Sequence, residues 1–321
     1  MGVDAARVMA GALLVDKPAG PTSHDVVAVV RRALKTSQVG HTGTLDPLAT
    51  GLLVVLVGGA TRLARFLAAD EKEYVADVRL GVSTPTYDAA SLAEGFAGPI
   101  PDARYPIADV EAVLERFRGS YQQTPPSYSA KKVAGVAAYE RARQNQPLDL
   151  KPVLVTVREL HLLESSDIGH RTSDIGAGDL LRLRVAAGAG FYVRSLAHDI
   201  GQALGCGAHL ETLRRTRVGR FVVDDALTLD RLEAEGAAAL VPLNDLLGEM
   251  PSATLTSEGQ RRAMHGNPLA AHHTKNGGTH SFSQKTVGAT VFVRLLDADG
   301  TLVAVAETRP DGLLHPVVVL R

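Results

Sequence analysis

The sequence predicts an α+β fold in two domains, a large N-terminal domain over residues 1–248 and a small β-rich domain over residues 249–321. The first observation is length, because 321 residues exceed the roughly 150 residues of an average domain. The second is that strand-like and helix-like hydrophobic periods alternate along the N-terminal part. The third is a change of composition near residue 250, after which hairpin patterns dominate.

Composition excludes several classes of protein. A hydrophobic content of 45% and a formal net charge of −1 fit neither a disordered chain nor a polycation, so any affinity for nucleic acid must come from a local patch. The single cysteine, Cys206, cannot form an internal disulfide, which favours a reducing compartment. The sequence shows no apolar run of roughly 18 residues and no secretory leader. We therefore expect a cytoplasmic protein that does not cross a membrane.

The first elements follow from apolar spacing. Gly11–Val15 is an apolar run that ends in a turn sequence and predicts a strand. Ser23 is then the expected N-cap of a helix whose apolar stripe runs from Val26 to Leu34. Residues 39–51 match neither period and are predicted to form a long ordered loop.

Four further elements follow in the same domain. Alternation predicts strands over Glu73–Leu80 and Leu180–Ala187. Helical spacing predicts helices over Val110–Phe117 and Val193–Leu204. Gly188 and Gly190 separate the second strand from the second helix, so the residues just after them occupy a strand-to-helix junction.

Charge is unevenly distributed along the chain. Residues 210–221 contain four arginines and one acid, a local charge of +3, whereas residues 222–258 carry a local charge of −7. A polyanion would approach the first segment and avoid the second. A solvated charged surface without a ligand is the alternative interpretation of the arginines.

The C-terminal domain is predicted to be mostly β. Val291–Leu296 and Leu302–Ala306 flank a turn of Asp and Gly residues and read as a hairpin, and Val317–Leu320 reads as a last strand. The polar tract from His272 to Gly288 predicts a loop.

Common cofactor and metal motifs are missing. The sequence has no phosphate-binding G-x-x-x-x-G-K-[ST] motif, and the glycines at 188 and 190 are followed by Val193 where a dinucleotide fingerprint needs Gly or Ala. Cys206 and His209 supply only two potential zinc ligands. We expect neither a metal nor a cofactor.

The most informative segment is GHTGTLDPLATG, Gly40–Gly51. Its three glycines permit backbone geometry closed to other residues, and Pro47 restricts the chain directly after Asp46. Such a loop would hold one carboxylate rigidly. The alternative is a turn in which Asp46 only accepts hydrogen bonds from local backbone N–H groups.

This segment resembles the catalytic motif of the bacterial tRNA pseudouridine-55 synthases, the TruB family. Further segments resemble family motifs in the expected chain order, and the resemblance spans roughly residues 11–245: Val15–Gly20 with Thr22-Ser23, Lys72–Tyr74, Tyr128–Lys132, Gly190–Leu196, and Gly205–His209 with Leu213–Arg215. It implies a pseudouridine synthase catalytic domain around a mixed, largely antiparallel sheet, followed by a PUA-like domain that contacts RNA. It also implies conversion of uridine 55 in the T arm of tRNA to pseudouridine, without a cofactor.

The resemblance also implies roles for individual residues. Asp46 becomes the catalytic carboxylate acting on a flipped-out uridine, paired with Arg194. Tyr74 would stack on the uracil and assist proton transfer, although its position on an apolar strand face also fits a core residue. His41 would fill the gap left by the flipped base. The remaining expected substrate contacts are Lys17, Lys131, Lys132, Tyr192, Leu213, Arg214 and Arg215. The expected partner is the T-arm stem-loop of tRNA, bound by a monomer that needs no other protein.

Two rival functions remain at this stage. A non-catalytic RNA-binding protein could use the same groove, but it would not need Asp46, Tyr74, Tyr192 and Arg194 together. A glycoside or nucleoside hydrolase would need two facing carboxylates, and the motifs supply only one.

Overall fold

The computed structural model describes residues 9–94, 104–129, 132–133, 136–144, 150–163, 174–176, 178–275 and 290–320. Its strands are β1 Gly11–Lys17, β2 Val39–His41, β3 Thr50–Val57, β4 Lys72–Leu80, β5 Arg104–Pro106, β6 Gly119–Gln123, β7 Lys132–Val133, β8 Val136–Ala137, β9 Val153–Leu162, β10 Asp174–Gly176, β11 Leu180–Ala187, β12 Ala208–Val218, β13 Phe221–Val222, β14 Val241–Pro242, β15 Ser252–Thr254, β16 Phe292–Leu296, β17 Leu302–Thr308 and β18 Leu314–Val319. The helices are α1 Ser23–Ala33, α2 Ala64–Leu67, α3 Ile107–Glu115, α4 Ala138–Arg143, α5 Val193–Leu204, α6 Leu232–Glu235 and α7 Ser257–Met264.

A single large sheet organises the N-terminal part of the chain. Its strand order within the described residues is β14-β1-β3-β12-β4-β11-β9-β6, with β2 paired to β3 and β13 paired to β12. The strands pair antiparallel except at β3 and β12, which run parallel. The expected mixed, largely antiparallel sheet is confirmed.

Helix α1 begins where the hydrophobic period begins, but its cap is one residue earlier than expected. Thr22, not Ser23, is the N-cap: its hydroxyl accepts from the Asp25 N–H while the Asp25 carboxylate accepts from the Thr22 N–H. This reciprocal pair is a capping box. It leaves the buried hydroxyl of Ser23 free to bond elsewhere in the fold.

Two strands next to the Asp46 loop differ from the sequence-based expectation. Residues 39–51 were predicted as one loop, but Val39–His41 form β2 and pair with Val57 to Val55, which shortens the loop to residues 42–49. Strand β12 was not predicted from its arginine-rich sequence. Register shifts near Leu210 and Arg215 break its regular alternation, and tertiary pairing on both sides supplies the strand geometry instead.

The two faces of the large sheet carry different partners. One face packs against α1, α3 and α5 through the main apolar core, which includes Val30, Leu114 and Ile200. The opposite face of β1 and β3 shares a second core with the C-terminal part, where Leu56 belongs to the same apolar cluster as Val305. Strands β1 and β3 are therefore covered by apolar residues on both faces.

The C-terminal part forms a four-stranded sheet, β15-β16-β17-β18. Strands β16 and β17 form the predicted hairpin, and the last strand begins earlier than predicted, at Leu314. His272 and His273 lie in a short 3-10 turn, and residues 276–289 of the predicted polar loop lie outside the described residues. Across the described ranges, no helix is long and apolar enough to cross a membrane.

Candidate active site

A pocket of about 420 Å³ opens where the Asp46 loop, defined as residues 42–49, meets β4, β12 and the start of α5. Six of the residues predicted from the sequence line it: Asp46, Tyr74, Tyr192, Arg194, Leu213 and Arg215. They come from four separate parts of the chain. The fold therefore assembles in one place the chemistry that the sequence shows only as scattered motifs.

The centre of the pocket is an ion pair between Asp46 and Arg194. Arg194 Nε lies 2.9 Å from Asp46 Oδ2, and Nη2 lies 3.4 Å from Oδ1, so both carboxylate oxygens face the guanidinium. The Arg194 side chain is 7% exposed, whereas that of Asp46 is 35% exposed. The carboxylate is thus held from behind and open toward the pocket.

A second carboxylate, Asp88, holds the other edge of the same guanidinium, and sequence analysis missed it. Arg194 Nη1 lies 3.3 Å from Asp88 Oδ2 and donates to the Thr86 carbonyl, while Nη2 donates to the Tyr128 carbonyl at 2.8 Å. Asp88 is buried and its other oxygen accepts from the Thr86 hydroxyl. No sequence period marks Asp88, because its partner lies 106 residues away.

Burial and the neighbouring Arg194 charge have opposite effects on the pKa of Asp46. Burial is the largest effect and raises the pKa of Asp46 above the ordinary value for aspartate. The Arg194 guanidinium beside it opposes that shift, and the Asp88 carboxylate adds to it. Arg194 therefore favours the ionised form as expected, but it does not overcome desolvation.

Buried polar groups fix the Asp46 loop from below. The Ser23 hydroxyl accepts from the Leu45 N–H at 2.8 Å and donates to the Leu45 carbonyl at 3.0 Å, directly before Asp46. Two hydrogen bonds to the same residue leave Leu45 little freedom to rotate. Ser23 therefore positions the loop, a role that its expected place as a helix cap did not indicate.

Lys17 was expected to bind substrate, and its burial contradicts that expectation. Its side chain has no exposed surface, and its ammonium donates to the carbonyls of Pro18, Pro21 and Pro47. These bonds tie the end of β1 to the residue that follows Asp46. An ammonium group with three internal acceptors has no donor left for a phosphate, so Lys17 supports the loop.

Arg215 was expected at the RNA surface as well, but it is buried in the pocket wall. Its guanidinium donates to the carbonyls of Leu52 at 2.7 Å and Gly43 at 3.1 Å. The β3–β12 contact brings the backbones this close because Gly51 has φ +97°, and a Cβ atom there would lie 2.2 Å from the Arg215 carbonyl oxygen. Arg215 thus supports the Asp46 loop from the side of β12.

The apolar and aromatic walls come from facing strands. Tyr74 on β4 lies opposite Arg215 on β12, and Ala76 lies opposite Leu213, so all four side chains share one face of the sheet. Tyr74 is 9% exposed and Leu213 is 7% exposed. Both are partly core residues and partly pocket lining, which reconciles the two roles considered for Tyr74.

Tyr192 is held by its backbone. Its N–H donates to Gln123 Oε1 at 2.9 Å, and its carbonyl accepts from Gln123 Nε2 at 3.1 Å. Gln123 is completely buried and was missed by sequence analysis. Burial raises the pKa of the Tyr192 phenol, so this group remains protonated at neutral pH.

His41 lies beside the pocket without lining it. It ends β2 and precedes Thr42, which does line the pocket. Its Nδ1 atom is buried without a hydrogen-bond partner among the described residues. Burial lowers the pKa of His41, which keeps the ring neutral near pH 7. A neutral, partly buried ring beside the pocket is compatible with stacking against a base.

Two arginines of the predicted basic cluster are paired with acids from elsewhere in the fold. Arg214 forms two hydrogen bonds with the carboxylate of Asp16, and Arg217 lies 3.0 Å from Glu71. Arg214 remains 43% exposed and can still meet a phosphate. Lys131 lies outside the described residues; Lys132 is in β7, and its side chain is likewise outside the description.

Potential metal ligands are not grouped in the described part of the chain, where no cluster of three or more His, Cys, Asp or Glu could hold an ion. Cys206 and His209, the two potential zinc ligands noted in the sequence, make other contacts. His209 Nδ1 lies 2.8 Å from the Val82 carbonyl and Nε2 lies 3.3 Å from Glu211, while Cys206 is buried. Both ring nitrogens of His209 are therefore already engaged.

Comparison with known proteins finds similar chains among pseudouridine synthases and in a solved complex. A chain in the crystal structure of a Cbf5-Nop10-Gar1 complex superimposes with a TM-score of 0.65 and 27% identity, covering 94% of this chain and 79% of that chain. The tRNA pseudouridine synthase B of Solibacter usitatus is 42% identical over 97% of this chain and all of its own length. That of Thermobifida fusca is 43% identical over 96% of this chain and 98% of its own length.

Two family models match adjacent parts of the chain. Residues 31–193 match the TruB family pseudouridylate synthase N-terminal domain, and residues 194–249 match the tRNA pseudouridylate synthase B C-terminal domain. The first match contains Asp46, Tyr74 and Asp88, and the second begins at Arg194. Together with the relatives above, these matches show that the chain belongs to the TruB family of pseudouridylate synthases.

Proposed function

We propose that this TruB family member converts uridine 55 in the T arm of tRNA to pseudouridine, with Asp46 as its catalytic carboxylate. The enzyme is an isomerase: the bond from C1′ to N1 breaks, the uracil turns, C1′ bonds to C5, C5 loses its proton and N1 gains one. Atoms are conserved in this exchange. The observation that carries the Asp46 assignment is the pocket-facing carboxylate backed by Arg194 at 2.9 Å.

The geometry supports a carboxylate that acts in its ionised form. Arg194 contacts both oxygens of Asp46, and the exposed part of the carboxylate faces the cavity. Attack on C1′ and removal of the 2′ proton both need an ionised carboxylate. The assignment is therefore the same for either route.

The aromatic groups supply a place for the extruded base. Tyr74 and Tyr192 both line the cavity that Asp46 enters. Stacking on an aromatic side chain offsets part of the few kcal/mol that base flipping costs. We assign Tyr74 to stacking and to removal of the C5 proton, and Tyr192 and Leu213 to the walls of the uracil site.

A hydrolase function is disfavoured by the position of the second acid. Asp88 is near Asp46, but Arg194 stands between them and Asp88 does not line the cavity. A two-carboxylate hydrolase needs both acids to face the scissile bond. Asp88 faces the guanidinium instead, so it cannot activate a water at the substrate.

The proposed partner is the T-arm stem-loop alone. Arg214, at the surface, and Lys131 and Lys132 are the proposed phosphate contacts, and the C-terminal part adds a PUA-like accessory contact from residue 249 onward. We propose that a cytoplasmic monomer carries out the reaction without a protein partner.

The direct test is tritium release from a T-arm stem-loop labelled at uracil C5. The wild-type enzyme should release tritium to water without free uracil. Asp46→Asn should abolish turnover while the stem-loop Kd stays within about tenfold, because phosphate contacts dominate affinity. Asp109→Asn, which removes an exposed carboxylate on α3, is the matched control and should keep wild-type turnover.

Three results would contradict parts of the proposal. Multiple turnover in Asp46→Asn would exclude Asp46 as the catalytic carboxylate. Free uracil would indicate hydrolysis in place of isomerisation. Tight binding of the stem-loop by the wild-type protein without tritium release would indicate an RNA-binding role.

A further inference from the structure

Tyr87 has an unusual backbone conformation beside the active site. Its φ of +63° lies in the left-handed region, which favours glycine and is rare for a bulky residue. Its ring stacks on His198 of α5, with centroids 3.9 Å apart and planes inclined by 13°. We propose that the Tyr87–His198 stack is a positioning device that holds Arg194 against Asp46; this inference rests on the proposed function.

The turn at residue 87 explains the positive φ, but it does not explain why the residue is a tyrosine. The turn itself needs only a residue that tolerates positive φ, and glycine would meet that need without strain. A tyrosine there accepts an unfavourable conformation, so its side chain must supply a compensating interaction. The described contact that does so is the stack on His198.

The residues on either side of Tyr87 contact the catalytic arginine. The Thr86 carbonyl accepts from Arg194 Nη1 at 3.1 Å, and Asp88 Oδ2 lies 3.3 Å from the same nitrogen. A rotation of the Tyr87 backbone would displace both acceptors at once. The conformation of residue 87 therefore controls two of the contacts that orient Arg194.

The stack attaches the loop of residues 86–88 to α5 at a second point. Arg194 and His198 are four residues apart in one helix and lie on the same face, about one turn from each other. The loop is thus bound to α5 at two points, by hydrogen bonds at Arg194 and by the stack at His198. A third attachment, from the Leu210 N–H to the Tyr87 carbonyl at 2.9 Å, joins it to β12.

His198 has no competing hydrogen bond at its inner nitrogen. Its Nδ1 atom is buried and has no partner within the described ranges. Burial lowers the pKa of His198, so the ring is neutral near pH 7 and presents a flat, uncharged face to Tyr87. Ring stacking is consequently the contact that His198 contributes to this loop.

The test compares variants that keep the backbone conformation and differ in the ring. Tyr87→Gly should lower kcat about tenfold and leave KM and stem-loop Kd within twofold, because Arg194 loosens while the RNA surface is unchanged. Tyr87→Asn, which also tolerates positive φ, should behave in the same way. Tyr87→Phe keeps the stack and should restore kcat to within twofold of wild type.

A double-mutant cycle then tests the partner. His198→Ala should lower kcat as much as Tyr87→Gly does. The double variant should lose no more kcat than either single variant, because each substitution removes the same ring stack. His161→Ala, at an exposed position of β9, is the matched control, and its effect on kcat should be independent of that of Tyr87→Gly.

Several outcomes would overturn the inference. Wild-type kcat in Tyr87→Gly would do so, as would fully multiplicative losses with His198→Ala. A Tyr87→Phe variant as impaired as Tyr87→Gly would assign the effect to the hydroxyl. These results differ from failure of the proposed function, in which the wild-type enzyme itself releases no tritium.

Discussion

Replacement of Arg194 by lysine tests how the active-site carboxylate is held. The guanidinium contacts Asp46 and Asp88 on different edges and also donates to two carbonyls, those of Thr86 and Tyr128. Lysine keeps the positive charge but has a single nitrogen. It cannot reproduce the planar fork that reaches both carboxylates, so the substitution removes geometry more than charge.

The size of the effect follows from the contacts that are lost. A hydrogen bond to a charged group contributes about 1.5–3 kcal/mol. The Asp46 side chain is 35% exposed, so solvent screening places its contact with Arg194 in the lower half of that range. At about 1.4 kcal/mol for each factor of ten, we expect Arg194→Lys to lower kcat/KM roughly 10- to 40-fold.

The pH dependence should move in a definite direction. Arg194 lowers the pKa of Asp46 against the effect of burial, so weakening the pair lets that pKa rise further. Activity that needs the ionised carboxylate disappears as pH falls through this pKa. The acid limb of the kcat/KM profile should therefore lie at higher pH in Arg194→Lys than in the wild type.

Tritium release measured from pH 5 to 8.5 provides the assay. Arg79→Lys is the matched control: Arg79 pairs with Glu211 at 3.2 Å, is 35% exposed and does not line the pocket. It should retain turnover within about twofold, as expected for a surface pair. An Arg194→Lys enzyme within threefold of wild type and with an unmoved acid limb would refute the positioning argument.

Three more predictions address the pocket wall, the helix and the domain boundary. Tyr74→Phe should lose about 10² or more in kcat at unchanged Tm if the hydroxyl transfers a proton, and Tyr74→Leu should also lower Tm; near-normal kcat in the Phe variant would leave stacking as the role. Burial raises the pKa of Asp199 to about 6, so Asp199→Asn should stabilise the protein above that pH in urea titrations, and the gain should vanish below about pH 4; solvent screening of this half-exposed group limits the gain to about 1 kcal/mol, and a gain independent of pH would contradict this. A chain ending at Leu247 should fold, with a lower Tm because the apolar face near Val305 is uncovered, and should bind the stem-loop more weakly; an unfolded circular dichroism spectrum would show that the boundary is wrong.

Local patterns in the sequence were sufficient for most of the secondary structure and for the central motif. The strand Leu180–Ala187 and the helix Val193–Leu204 have the predicted bounds, because their hydrophobic periods match the geometry that they adopt. The glycine-bounded loop around Asp46 was recognisable because its unusual composition is continuous in the chain. The mixed sheet, however, came from family resemblance, since local periods do not specify which strands pair.

Only the tertiary structure revealed how the charged and polar residues are used. Lys17 lies in a motif but is buried under the Asp46 loop, and Arg217 lies in a basic segment but is paired with Glu71. Asp88 carries no sequence signal and Ser23 was predicted only as a helix cap, yet they orient Arg194 and the Asp46 loop. The reason is that burial and electrostatic partnership depend on residues that are distant in sequence and adjacent in space, and no local pattern records those contacts.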